Sequence, residues 1–216
     1  MKKLLSTNVF NEKGGHSSIS ERSFIASITG FVLYGLLMTF LMATNFAPAV
    51  PGLGFILGVG LAIPIMGVFL SVNDNSFLSF LGYNMISIPL GLCMGWISTT
   101  IKSSIILDAI TITLMVTGVM GVLGILLPKF FESIGGFLFY SLLSLIVVMV
   151  LQIFIPALQH LTIIDYIAAG IFSLYIGYDI HRATLVDRNI NNALRIAISL
   201  YLDITNLFLS ILRIKD

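Results

Sequence analysis

Charge is the scarcest commodity in this chain of 216 residues. Only 10% are Asp, Glu, Lys or Arg, against about one quarter in an ordinary soluble domain. A water-soluble globule is therefore excluded. Disorder is excluded too, since it needs low hydrophobicity and high charge, whereas 57% of the residues are apolar and the mean hydropathy is +1.05. Eleven Lys and Arg nearly cancel ten Asp and Glu. No basic surface is left for phosphate backbones, so nucleic acid drops out as a partner. The single cysteine, Cys93, rules out an intramolecular disulfide and leaves the redox compartment unread. The three histidines, His16, His160 and His181, show no metal-ligand spacing, so no zinc site is expected.

What the chain does have is long apolar runs. A bilayer span needs roughly 20 apolar residues in helical form, and windows of that length fall at Phe24 to Phe46, Gly52 to Leu70, Phe77 to Ile97, Ser104 to Leu127, Gly136 to Pro156, Ile163 to His181 and Asn191 to Ile214. The breaks APAVPG, SVNDNS, STTIK, PKFFES, ALQHLT and RATLVDRNIN carry turn or polar residues and are too short to fold alone. The expectation is all-α: a cytosolic tail over 1–22 and one seven-helix transmembrane domain over 23–216. The basic start MKKLLSTNVF turns polar too soon for a signal peptide and reads as a cytosolic lead-in.

Eight basic residues (Lys2, Lys3, Lys13, Arg22, Lys129, Arg182, Arg188, Arg195) fall on the side of the N-terminus, against Lys102, Arg213 and Lys215 on the other. The positive-inside rule then places the N-terminus in the cytosol and the C-terminus outside. Gly54 and Gly58, Gly91 and Gly95, and Gly118, Gly121 and Gly124 are spaced for close helix contact in lipid. Aromatic residues are expected at lipid-facing and interfacial positions.

The last span is different. Asn192, Arg195, Ser199, Asp203, Asn206, Ser210 and Arg213 recur at steps of three or four, which puts all seven on one helical face. That face cannot meet lipid, so the helix is expected at the centre of the bundle. Asp203 lies about 12 residues, or 18 Å, into it at the 1.5 Å helical rise. An ionised group at that depth costs roughly 2.5 to 3.5 kcal/mol or more and needs a partner or a proton. Asp179 in the sixth span offers one, because the midpoint of 179 and 203 falls in the polar RATLVDRNIN turn of an antiparallel hairpin. Two carboxylates in contact share a proton and titrate as a unit. The alternative is that each pairs separately with a base such as Arg182 or Arg195 and only fixes packing. Asp108 near the outer end of the fourth span could attract cations, while Asp165 reads as a solvated helix end.

SLYIGYDIHRA and NALRIAISLYLDITNLFLSILRI together resemble the signature end of the Bax inhibitor-1 family, the transmembrane Bax inhibitor motif proteins, in its small bacterial form. The GYD of the sixth span, the LYLDxxNLF of the seventh and the separation of their aspartates carry the likeness. It implies a seven-helix fold with the last helix central and a pH-sensitive calcium leak in a bacterial plasma membrane. Asp179 and Asp203 become the pH-sensing gate, and Asp108 a cation-attracting position. Some relatives carry an acidic residue inside the second helix and a basic cluster after it that latches onto the pair. Here Gly52 to Leu70 is uncharged and the next loop offers only Asp74, which leaves Arg182 and Arg195 as the candidate latch partners.

Three functions follow in order. The first is the calcium leak: calcium takes hard oxygen ligands, and Asp179 and Asp203 with Ser199 and Asn206 supply oxygens for a calcium-binding ion path. No tightly bound cofactor is expected; lipid, calcium and protons are the partners. The second is a stress-related regulator that binds and inhibits another membrane protein such as a protease. The third, an intramembrane aspartyl protease, is disfavoured because Leu200-Tyr201-Leu202-Asp203 lacks the GxGD setting and no Pro-Ala-Leu motif follows. The chain is therefore read as a non-enzyme. A retinal protein is dismissed because the last span has no internal lysine for a Schiff base.

Overall fold

The computed structural model describes residues 18–48, 50–155 and 161–216. Expectations for the tail over 1–17, with Lys2, Lys3, Lys13 and His16, and for Pro156 and His160 fall outside these residues. Among the described residues, seven helices are long and apolar enough to cross a membrane. They are α1 (Glu21–Asn45), α2 (Leu53–Ser71), α3 (Ser76–Ser98), α4 (Ser103–Leu126), α5 (Pro128–Phe154), α6 (Thr162–Ala183) and α7 (Ile190–Lys215).

Local chemistry sets their ends. Side-chain oxygens of Ser20, Asn75 and Asn189 cap α1, α3 and α7 by accepting from the amides of Ser23, Phe77 and Asn192. The expected PKFFES loop is not a loop. It forms the first turns of α5, because Pro128 at the start of a helix already has the required φ and lacks only an amide that would go unpaired there. The chain turns from α4 to α5 within Leu127 alone. Within α2, residues Gly58–Ala62 widen into a π-helical turn. Pro64 lies four residues beyond Gly60, so its ring crowds that carbonyl and it donates no bond to it; the wider turn relieves both.

The central position of α7 is plain from burial. Of its membrane window 61% is buried, against 39% or less for the other six. It packs on α6, α1, α4 and α3. Ala193, Ala197 and Leu207 join Phe172 and Ile176 of α6 and Ala109 of α4 in one apolar cluster, while Leu194, Ile198 and Tyr201 join Tyr83 and Ile86 of α3 in a second. On the outside, large apolar residues such as Leu33, Phe69 and Leu114 are exposed, as a lipid-facing surface requires.

Glycines decide how closely the helices cross. A Cβ at Gly82 would stand 2.6 Å from the Gly67 carbonyl oxygen, so α2 and α3 touch backbone to backbone. Gly91 and Gly95 press against Thr39 and Ala43 of α1, and Gly124 against Gly177 of α6. Of the glycines expected to pack, Gly54, Gly58, Gly118 and Gly121 have open space around them instead. Gly54 and Gly58 have the same four-residue spacing as Gly91 and Gly95; they, with Gly118 and Gly121, differ in meeting no neighbour among the described residues. Gly82→Ala should therefore lower the thermal unfolding midpoint in detergent micelles, with overpacking of about 1–3 kcal/mol, whereas Gly118→Ala should leave it unchanged or raise it.

Candidate functional site

The candidate site forms where α6 and α7, an antiparallel pair joined by residues 184–189, bring their aspartates together. Asp179 and Asp203 are 2% and 8% exposed. The Asp179 carboxyl faces that of Asp203, the hydroxyl of Ser199 and the guanidinium of Arg182. Arg182 Nη1 lies 3.5 Å from Asp179 Oδ1, one helical turn away on the same face. Tyr175, a turn earlier on α6, stands near both carboxyls. Sequence reasoning had named every one of these residues except Tyr175, whose i−4 spacing from Asp179 was the available signal.

The pair is poor in donors. Neither Asp179 Oδ2 nor Asp203 Oδ2 has a hydrogen-bond partner among the described residues. A buried acceptor without a donor costs on the order of 1–3 kcal/mol, and more if charged. A proton held between the two carboxyls supplies a donor and removes one of two like charges. The arrangement also gathers carboxyl and hydroxyl oxygens of the kind a hard cation takes. Among the described residues no group of three or more His, Cys, Asp or Glu is placed to hold a metal ion, so two aspartates are the acidic share of any such site.

The two latch candidates part company. Arg182 stays with the pair. Arg195 donates from Nη2 to Asp74 Oδ1 at 2.7 Å and to the Val72 carbonyl at 2.8 Å, and Asn191 Nδ2 donates to the Asp74 carbonyl at 2.8 Å. These bonds tie the α2–α3 loop to the first turns of α7. Asp74 was legible only as the one charge of its loop.

Further contacts between acidic and basic side chains mark the two ends of the bundle. On the side where α1 begins, Arg188 meets Glu21 at 2.9 Å, and His181 Nε2 lies 3.6 Å from Glu132 of α5. On the opposite side Arg213 meets Asp165 at 3.1 Å and Lys215 meets Asp108 at 3.7 Å. Asp108 and Asp165, read as a cation-attracting position and a solvated end, thus each face a basic residue of α7. Asn206 is half-buried on the same helix, and its carbonyl accepts from Ser210.

Seven membrane-crossing helices arranged about the last of them, with one carboxyl from α6 and one from α7 buried against each other, define a multi-pass membrane protein. The family described as "Inhibitor of apoptosis-promoting Bax1" matches residues 21–215, and the chain belongs to this Bax inhibitor-1 family. Similar curated proteins include uncharacterized proteins from two strains of Helicobacter pylori, 29% and 28% identical over 140 residues, 65% of this chain and 60% of each relative. Protein LIFEGUARD 4 of Arabidopsis thaliana is 33% identical over 143 residues, 63% of this chain and 57% of its own length. The match thus spans about 60% of the length of these relatives.

A shared proton has a direct readout. Infrared difference spectra taken along a pH titration in liposomes should contain a carboxylic-acid C=O band from a buried, protonated carboxyl, absent from Asp203→Asn and from Asp179→Asn. A band that survives in both variants would assign that proton elsewhere.

Proposed function

We propose that this protein is a pH-sensitive calcium leak of the membrane, gated by Asp179 and Asp203. The observation that carries the reading is the meeting of these two carboxyls, both nearly inaccessible, beside the central helix of a membrane bundle. With one proton the pair keeps a single negative charge, which balances the guanidinium of Arg182. A second proton removes that charge. Arg182, about two-thirds buried at the end of α6, then loses its counter-ion and is better solvated turned toward water, which loosens the α6–α7 contact. Acidification therefore favours the conducting arrangement, and calcium passes along the oxygens of the α7 stripe, Ser199 and Asn206 among them.

Calcium and protons are in this reading the transported and sensed ions rather than resident cofactors. The excess of Arg22, Lys129, Arg182, Arg188 and Arg195 at the end where α1 begins, against Lys102, Arg213 and Lys215 at the other, supports an N-terminus in the cytosol, and the likeness to the Helicobacter pylori relatives supports a bacterial plasma membrane. A second reading draws on the family's description as an inhibitor: a regulator that docks on another membrane protein, its unfilled glycine faces at Gly118 and Gly121 available for helix contact.

Calcium flux into proteoliposomes separates the readings. Flux through the pure protein should rise as pH falls through the titration of the pair, and Asp179→Asn and Asp203→Asn should each flatten that dependence. Flux that keeps its full pH dependence in both variants overturns the sensor, and no flux from pure protein together with a co-purifying membrane partner favours the regulator. Orientation has its own check: after Cys93→Ser, a cysteine at Asp187 should react with impermeant maleimide only once the inner face of the membrane is opened, and one at Asp216 before.

A further inference from the structure

A recess of about 410 Å³ opens between α1, α3 and α4 and ends against α7. Its size falls in the range of roughly 300–1,000 Å³ typical of small-molecule sites. No charged side chain lines it. Five hydroxyls do, and all are spent on backbone carbonyls: Thr39 on Ser87, Thr44 on Phe40, Ser98 on Gly95, Thr113 on Ala109 and Thr205 on Tyr201. With those donors engaged and no charge in the wall, the lining suits hydrocarbon better than water or ions.

Its mouth is continuous with the lipid-facing surface. Phe40 and Leu114, on the rims formed by α1 and α4, are 62% and 63% exposed. Both helices pack on α7 but scarcely on each other, so hydrocarbon can enter sideways without leaving the bilayer. At the floor stand Ile204, Thr205, Phe208 and Leu212. At 100° per residue these occupy the face of α7 opposite Asp203 and the polar stripe. Lys102, exposed at the start of α4 one turn before Ile106 of the lining, makes no ion pair among the described residues, unlike Arg213 and Lys215 at the same end.

We propose that this recess is a binding site for one acyl chain of a membrane phospholipid, inserted from the leaflet on the Lys102 side, with the lipid phosphate near Lys102. The chain fills the space between α1 and α4 and packs on the reverse side of the helix that carries Asp203. The phospholipid is favoured over a free fatty acid because nothing in the wall pairs with a carboxylate, while Lys102, the base without an ion pair at that end among the described residues, lies at headgroup level. The site stands whether or not the protein conducts calcium.

The full chain, reconstituted in liposomes of phosphatidylglycerol carrying a photoreactive diazirine in one acyl chain, tests this by irradiation and peptide mapping. Adducts are expected on the buried wall, at Thr113, Thr205 or Leu212, as well as on outward Phe40 and Leu114. Ile110→Trp, a change at the partly exposed mouth that leaves the core untouched, should abolish the inner adducts and spare the outer ones; Lys102→Gln should reduce them. Adducts confined to outward-facing residues in the unaltered protein overturn the site. Loss of the inner adducts on adding unlabelled free fatty acid, with phospholipid in excess, overturns the assignment to phospholipid.

Discussion

The structure depends on one constraint, the need to keep the polar face of α7 out of hydrocarbon. A helix carrying Asn192, Arg195, Ser199, Asp203, Asn206, Ser210 and Arg213 on one side cannot be stable at the rim of a membrane bundle, where unpaired polar groups have no solvent. Placing it at the centre lets α6 answer the stripe with Asp179, while α1, α3 and α4 cover the remaining surface. The other helices are consequently more lipid-facing and almost uniformly apolar.

Wrapping several helices around one requires close approach, and small residues provide it. Gly67 on Gly82, Gly91 and Gly95 on α1, and Gly124 on Gly177 bring backbones into contact, which in lipid replaces the hydrophobic drive that holds soluble bundles together. Tyrosines close the gaps that remain: Tyr83 donates to the Phe31 carbonyl and Tyr201 bonds to Thr39, each satisfying a hydroxyl that would otherwise be stranded. Where no glycine contact or tyrosine closes the space, between α1 and α4, the recess remains.

Charge is sorted by depth along α7. Near both ends its bases meet acids that are wholly or partly in reach of water, Arg195 with Asp74, Arg213 with Asp165 and Lys215 with Asp108; exposed pairs of this kind are worth little in stability but fix which loop lies over which helix end. Farther in, the partner of an acid is another acid. A carboxyl facing a carboxyl is a weak way to hold two helices and a sensitive way to couple them to pH, because the number of protons bound sets whether the contact attracts or repels. That contrast is what separates Asp179 and Asp203 from Asp74, Asp108 and Asp165.

The sequence by itself determined the membrane class, the seven spans, the central place of the last helix and the two aspartates, because each follows from a one-dimensional pattern: run length, a 3.6-residue stripe, a carboxylate in an apolar setting. Helix ends were legible where turn residues mark them and not at PKFFES, where the proline that looked like a break is also a good first residue of a helix. Only the tertiary structure decided the rest. Glycine spacing is the same at Gly91 and Gly95 as at Gly54 and Gly58, yet only the first pair meets a neighbour; Arg182 stays with Asp179 three residues away on its own helix, whereas nothing local sends Arg195 across to the α2–α3 loop. Partner choice across more than a hundred residues depends on how helices are arranged around a centre, and that arrangement is a property of packing in three dimensions.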